Sequence, residues 1–172
     1  MSNFPYTGIG SRKTPQDVLE LMTYIARRLD ADGWVLRSGG APGADTAFAA
    51  GSSRREVFLP WPGFGTELCP VLARPSPEAF NLAARHHPTW TKLSSGARAL
   101  LARDGHQVLG QGLDDPSRFV LCWTPDGATE HTTRETGGTG QAIRVAVAHS
   151  VPVYNLARDD HRRLWHSLVE EY

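Results

Sequence analysis

The sequence predicts an α/β protein whose mainly parallel sheet, of about five or more strands, is covered by helices on both faces. Three observations predict it. Short β-type runs alternate with helix-period segments from one end of the chain to the other. Residues 119–123 are apolar without a break, as befits a strand buried on both faces. Glycine-rich turns follow three of the strands, directly or at the start of the next helix, which is where parallel sheets bind ligands.

Residues 4–9 form the first β-type run, ending in Gly10-Ser11-Arg12. Thr14-Pro15-Gln16-Asp17 then reads as a helix start, with Thr14 at the N-cap and proline at the first helical position. Val18, Met22, Ile25 and Leu29 follow at helical spacing, Leu19 and Ala26 widen the stripe, and Gly33 ends it. Residues 34–36 make a second strand, broken by Ser38-Gly39-Gly40. Residues 44–50, apolar nearly all round, suit a buried helix capped by Gly51. Residues 56–59 are a third strand, and Pro60-Trp61-Pro62-Gly63-Phe64-Gly65 behind it is irregular.

Ser76-Pro77-Glu78 opens a helix over 79–85, which Pro88 stops, and a second helix covers 94–103. After the apolar strand, Gly137-Gly138-Thr139-Gly140 precedes a helix through Ile143 and Val147. Residues 151–154 are a further strand and 156–170 a final amphipathic helix. No internal repeat or low-complexity linker interrupts the pattern. Residues 1–172 are therefore expected to form one domain, a Rossmann-like three-layer α/β/α unit.

Eighteen basic residues balance eighteen acidic ones, so bulk charge gives no drive toward nucleic acid or an anionic membrane. The N-terminus lacks a basic region followed by an apolar one, and no apolar run approaches the roughly 20 residues of a bilayer span. A cytoplasmic protein without membrane contact is expected. Cys69 and Cys122 are far apart, and Cys122 sits in an apolar run as a core thiol. Among the seven histidines no ligand spacing occurs: His86 and His87 are adjacent, and His161 and His166 are five apart. Neither a metal nor a cofactor is expected.

The three loops carry the chemistry. In the first, Gly8 and Gly10 allow a sharp turn and close phosphate approach, Ser11 adds a hydroxyl, and Arg12 suits bidentate phosphate binding. The second offers Ser38, Gly39, Gly40 and Gly43, then Asp45 at the start of the buried helix. Asp45 reads either as a helix cap or as a ribose-binding group or general base. The third, Gly137, Gly138, Thr139, Gly140 and Gln141, opens a helix and so places amides and a positive dipole end at an anion. Trp61, directly after a strand, is the aromatic best placed to stack on a base. Glu130 and Glu135, just before the third loop, read as surface glutamates within reach of a ligand. Arg54-Arg55 and Arg162-Arg163 read as solvated pairs. A dinucleotide fingerprint lacks its third glycine and its acid after the second strand, and a Walker loop lacks Gly-Lys-Ser/Thr.

In this order, Gly8-Ile9-Gly10-Ser11-Arg12, Ser38-Gly39-Gly40-Ala41-x-Gly43-Ala44-Asp45 and Gly137-Gly138-Thr139-Gly140 resemble the SLOG superfamily. That superfamily joins the DNA-processing protein DprA (Smf) to the LOG phosphoribohydrolases. With residues 119–127 included, the chain is similar throughout to small DprA-like proteins of phages and bacteria. The resemblance implies a Rossmann-like fold, a homodimer, and a nucleotide or nucleic-acid ligand. The chain departs from the LOG pattern Pro-Gly-Gly-x-Gly-Thr-x-x-Glu: Thr136 replaces the proline, Gln141 the threonine, and Arg144 stands at the glutamate position. The first expectation is thus a nucleotide-type phosphate ligand held by the loops and Arg12, with Asp45 and Gln141 at the ribose or a water. Such a protein is a sensor or sequestering module, or an enzyme on a nucleoside phosphate with Asp45 as its catalytic carboxylate. The alternatives are a dimeric DprA-like binder of single-stranded DNA and a LOG-like phosphoribohydrolase with a rearranged catalytic site.

Overall fold

Strand and helix alternate through residues 3–170, which the computed structural model describes, except that two α-helices in succession separate the third strand from the fourth. The strands are β1 (Pro5–Gly8), β2 (Val35–Ser38), β3 (Arg55–Val57), β4 (Val120–Cys122) and β5 (Val153–Asn155). The α-helices are α1 (Gln16–Ala31), α2 (Ala44–Gly51), α3 (Pro77–His86), α4 (Ser95–Leu109), α5 (Thr139–Ala148) and α6 (Asp159–Glu170). All strand pairings are parallel, in the order β3-β2-β1-β4-β5. This is the Rossmann-like three-layer form, with the chain moving outward from β1 in one direction and then returning to start again at β4. The switch in direction falls between β1 and β4, and the loops leaving those strands diverge there.

Two cores flank the sheet, and β4 feeds both. Leu121 joins Tyr6, Leu36, the apolar stripe of α1, Phe48 of α2 and Trp165 of α6. Its neighbours Val120 and Cys122 join Val108 and Leu109 of α4 and Ile143 and Val145 of α5 on the other face. The period-2 alternation of a strand explains the division, and a covered sheet explains why both sets are apolar. Burial pushes the Cys122 thiol up to about 12, so it stays protonated and inert. No helix among the described residues is long and apolar enough to cross a membrane.

Three elements differ from the sequence expectation. Thr14 does not cap α1; its hydroxyl donates to the Ser11 carbonyl at 2.6 Å, and Pro15 takes the N-cap position. Helix α6 begins at Asp159 because the Leu156 amide continues the sheet pairing, donating to Cys122 O at 2.8 Å. Helix α4 runs to Leu109 before Gly110 (φ 81°) ends it. Its last turns are buried although polar, because each polar group has an individual partner. His106 Nε2 accepts from the Ser76 amide at 3.2 Å, and its ring stacks on Phe58.

Ser76 also caps α3, accepting from the Ala79 amide at 3.2 Å. Ser76→Ala is expected to cost about 1 kcal/mol. For a chain of this length that lowers Tm by about 2–4 °C. Calorimetry of the two proteins checks it, and an unchanged midpoint would show that the cap contributes nothing.

Candidate phosphate cleft at the strand-order switch

A cleft of about 540 Å³ opens over the carboxyl ends of β1 and β4. The first loop forms one wall. The Ser11 amide donates to Trp123 O at 3.1 Å, which carries the β1–β4 pairing beyond both strands. A side chain at Gly10 would meet the Ala44 Cβ at 2.8 Å, so the loop lies against α2 only because glycine is there. Arg12 and Lys13 are exposed at the rim.

The opposite wall is the start of α5. Asp126 organises the approach to it by accepting from the Thr124, Thr133 and Thr136 hydroxyls at 2.8, 3.2 and 2.5 Å. Burial alone would raise the Asp126 carboxyl, but these bonds and the Ala128 amide outweigh it and hold it below the usual range. The amides of Gly140 and Gln141 turn back to Gly137 O and Gly138 O at 3.0 and 3.2 Å. The amides of Gly138 and Thr139 carry no such bond among the described residues, as the first amides of a helix do. A Cβ at Gly137 or Gly138 would touch nothing within 4 Å. Beside the helix end, Arg134 and Glu135 complete the wall.

The floor comes from α2 and α4. Asp45 and Asp104 are only 4 % and 5 % exposed, yet both line the cleft. Asp45 Oδ2 accepts from the Ala41 amide at 3.1 Å, so it folds back on the second loop rather than capping α2. Arg103 donates to Gly39 O at 2.6 Å, lies 3.6 Å from Asp104 Oδ1, and covers the Phe64 ring at 5.2 Å. With its amide oriented to suit its neighbours, Gln107 donates to Asp104 Oδ1 at 3.3 Å and accepts from the Gly39 amide at 3.2 Å. Burial raises the Asp45 carboxyl, against the pull of Arg103 and the loop amides. Burial likewise raises Asp104 to about 7; Arg103 opposes the rise and Asp45 adds to it. Two carboxyls thus crowd one guanidinium in the buried floor, and burial favours the protonated form of each.

Of the residues singled out from sequence, Gly10, Ser11, Arg12, Asp45, Gly137, Gly138 and Thr139 line this cleft. The others do not line it. A Cβ at Gly8 would strike Phe48, and the Ser38 hydroxyl donates to Gly8 O at 2.7 Å. Gly39 leaves room for Gln107 and Arg103, Gly40 packs on Leu59, Gly43 starts α2, and Gly140 faces Arg144. Trp61 is 40 % exposed and packs edge-to-face on Phe64. Gln141 is fully buried: its amide donates to Ala83 O at 3.0 Å and its oxygen accepts from Arg144 at 2.8 Å. Arg144 in turn reaches His86 O and the Thr132 hydroxyl, bracing α5 against α3. Arg103, Asp104 and Gln107 were not anticipated. The signal for them was an Arg-Asp pair set between Leu100-Leu101-Ala102 and Val108-Leu109.

No protein-family model and no curated protein matches the chain. A solved structure of DNA processing protein A from Helicobacter pylori, described for its single-stranded DNA binding mode, does match in structure. The TM-score is 0.57 at 15 % identity, over 99 % of this chain and 82 % of that one. The fold is DprA-like. Within this DprA-like frame the cleft sits where doubly wound sheets hold their ligands.

Proposed function

We propose that the protein binds a nucleotide-type phosphate ligand in this cleft, as a sensor or sequestering module or as the first step of processing a nucleoside phosphate. One observation carries the reading: the open start of α5 faces the same cleft as Arg12, Lys13 and Arg134. Unbonded amides at a helix start, a dipole end and three cations suit a phosphate and little else. In a processing reaction, Asp45 is the carboxylate available as base or as stabiliser of positive charge on a sugar.

A specific ligand in excess raises the thermal midpoint by mass action; at about 100 times Kd the gain is about 2.7 kcal/mol. A screen of nucleoside mono-, di- and triphosphates and ADP-ribose-type compounds is expected to contain members that raise Tm by several degrees. A flat screen would sink the reading.

The DprA-like fold favours a second reading, a dimeric binder of single-stranded DNA. That reading requires affinity that falls steeply as salt rises, because each neutralised phosphate releases counterions. Anisotropy of a labelled oligonucleotide between 50 and 200 mM salt, taken as about the useful range, decides it. Weak binding with a shallow slope removes it.

A further inference from the structure

We propose that anion binding in the cleft is coupled to uptake of a proton by Asp45 and Asp104, so that the cleft holds its ligand more tightly as pH falls through neutrality. The inference rests on the phosphate reading above and adds a control on the same site.

The floor holds two acids to one base. Asp45 and Asp104 both line the cleft although only 4 % and 5 % exposed. Arg103, the base beside them, lies 3.6 Å from Asp104 Oδ1 and donates to Gly39 O at 2.6 Å. One guanidinium balances one carboxylate, so ionising both acids leaves one negative charge uncompensated. That charge faces the same space as Arg12, Lys13, Arg134 and the start of α5. A cleft of about 540 Å³ is about 10 Å across, and over that span in a partly buried site one unit of charge changes anion affinity about tenfold. The coupling is reciprocal: an anion repelled by the ionised floor favours the protonated one. Burial already pushes both carboxyls up, Asp104 to about 7, so the exchange falls in the neutral range.

The surroundings assign the response to the floor. No histidine lines the cleft. The charges acting on Asp104 are Arg103 on its own helix, Asp45 from α2 and Arg144 from α5, and Arg144 is committed to His86 O, Thr132 and Gln141. Helix α3 brings Glu78, Arg85 and His86; Glu78 acts on His106, and Arg85 on His86, whose ring meets His149. His106 is itself stacked on Phe58 and bonded to the Ser76 amide. From β2, Arg37 pairs with Asp115. Glu135 stands with Arg134 on the cleft wall.

Sulfate is the probe, because its own charge is constant between about pH 6 and pH 8, whereas that of phosphate is not. Titration calorimetry at constant ionic strength, in two buffers of different ionisation heat, reads both the Kd and the protons taken up. The wild-type protein is expected to bind sulfate about tenfold more tightly at pH 6 than at pH 8. At pH 7 it is expected to take up a fraction of a proton per sulfate bound. Asp104→Asn leaves Asp45 to Arg103 with no surplus charge. It is expected to bind at pH 8 as tightly as the wild-type protein does at pH 6, without proton uptake. Asp45→Asn, which leaves Asp104 to Arg103, is expected to do the same. A merely damaged floor would weaken binding at pH 8 rather than strengthen it. A wild-type Kd that is constant with pH, without proton uptake, would overturn the coupling and leave the phosphate reading standing. A pH response that survives in both variants would overturn its assignment to these acids. Absence of sulfate binding at every pH would also overturn the coupling, and inorganic phosphate titrated in parallel then decides the phosphate reading separately.

Discussion

Asp104→Asn is expected to make the protein more stable at pH 8 by about 2 kcal/mol, with Tm higher by about 4–8 °C. Burial holds the Asp104 carboxyl at about 7, against 3.8 in a solvated chain. The folded state therefore binds more protons than the unfolded one between those two values. On this account stability falls as pH rises from about 4 to 7, and is flat above that window. Asparagine has the same shape and no proton to lose, so it escapes the penalty. The whole interval corresponds to about 4 kcal/mol; the loss of a partner for Arg103 takes back part of it. Other carboxyls act in the opposite sense. Hydrogen bonds outweigh burial at Asp30 and Asp126, and Arg55 holds Glu67 low, so these stabilise the fold until acid protonates them. The measurement is thus the difference between variant and wild-type unfolding free energies. It should be near its minimum at pH 4, grow through pH 7 and then level off. A difference that is constant with pH, or that favours the wild-type protein at pH 8, defeats the account.

What the sequence disclosed divides along physical lines. The apolar run before Trp123 and the stripe Val18, Met22, Ile25 and Leu29 are patterns of burial, and burial is what periodicity reports. The third loop was legible because small residues ahead of an apolar helix stripe have few structural uses. The floor was not, since Asp104-Gly105-His106-Gln107 has the composition of an exposed helix end. Only long-range partners keep those residues in a buried helix: Gly39 for Arg103 and Gln107, Ser76 for His106. Gly39 shows the same limit from the other side. Its place in a glycine-rich loop suggests a ligand, but a Cβ there would collide with the Gln107 side-chain amide and lie 2.9 Å from Arg103 Cζ. The glycine makes room for α4, and through α4 for the floor of the cleft.

Gly138→Ala separates a ligand-binding glycine from a folding one. Gly138 has φ −62° and ψ −31°, ordinary helical values, and an added Cβ meets nothing within 4 Å. Alanine there costs no strain and restricts the unfolded chain, so stability is expected to hold or rise by about 0.4–1 kcal/mol. Binding should respond in the opposite sense. The methyl group enters the space beside the Gly138 and Thr139 amides, where phosphate oxygens must come within about 3 Å to be held. Affinity for ribose 5-phosphate and for inorganic phosphate is expected to fall by about tenfold, equivalent to about 1.4 kcal/mol. Gly137→Ala is the contrast. That residue has φ 74°, where a side chain is strained, so its substitution is expected to lower stability by about 1 kcal/mol. Calorimetry and phosphate titration of the two variants distinguish the roles. Unchanged affinity in Gly138→Ala would mean that the open start of α5 holds no phosphate. Weakened binding with an undiminished Tm would mean that glycine at 138 serves the ligand rather than the fold.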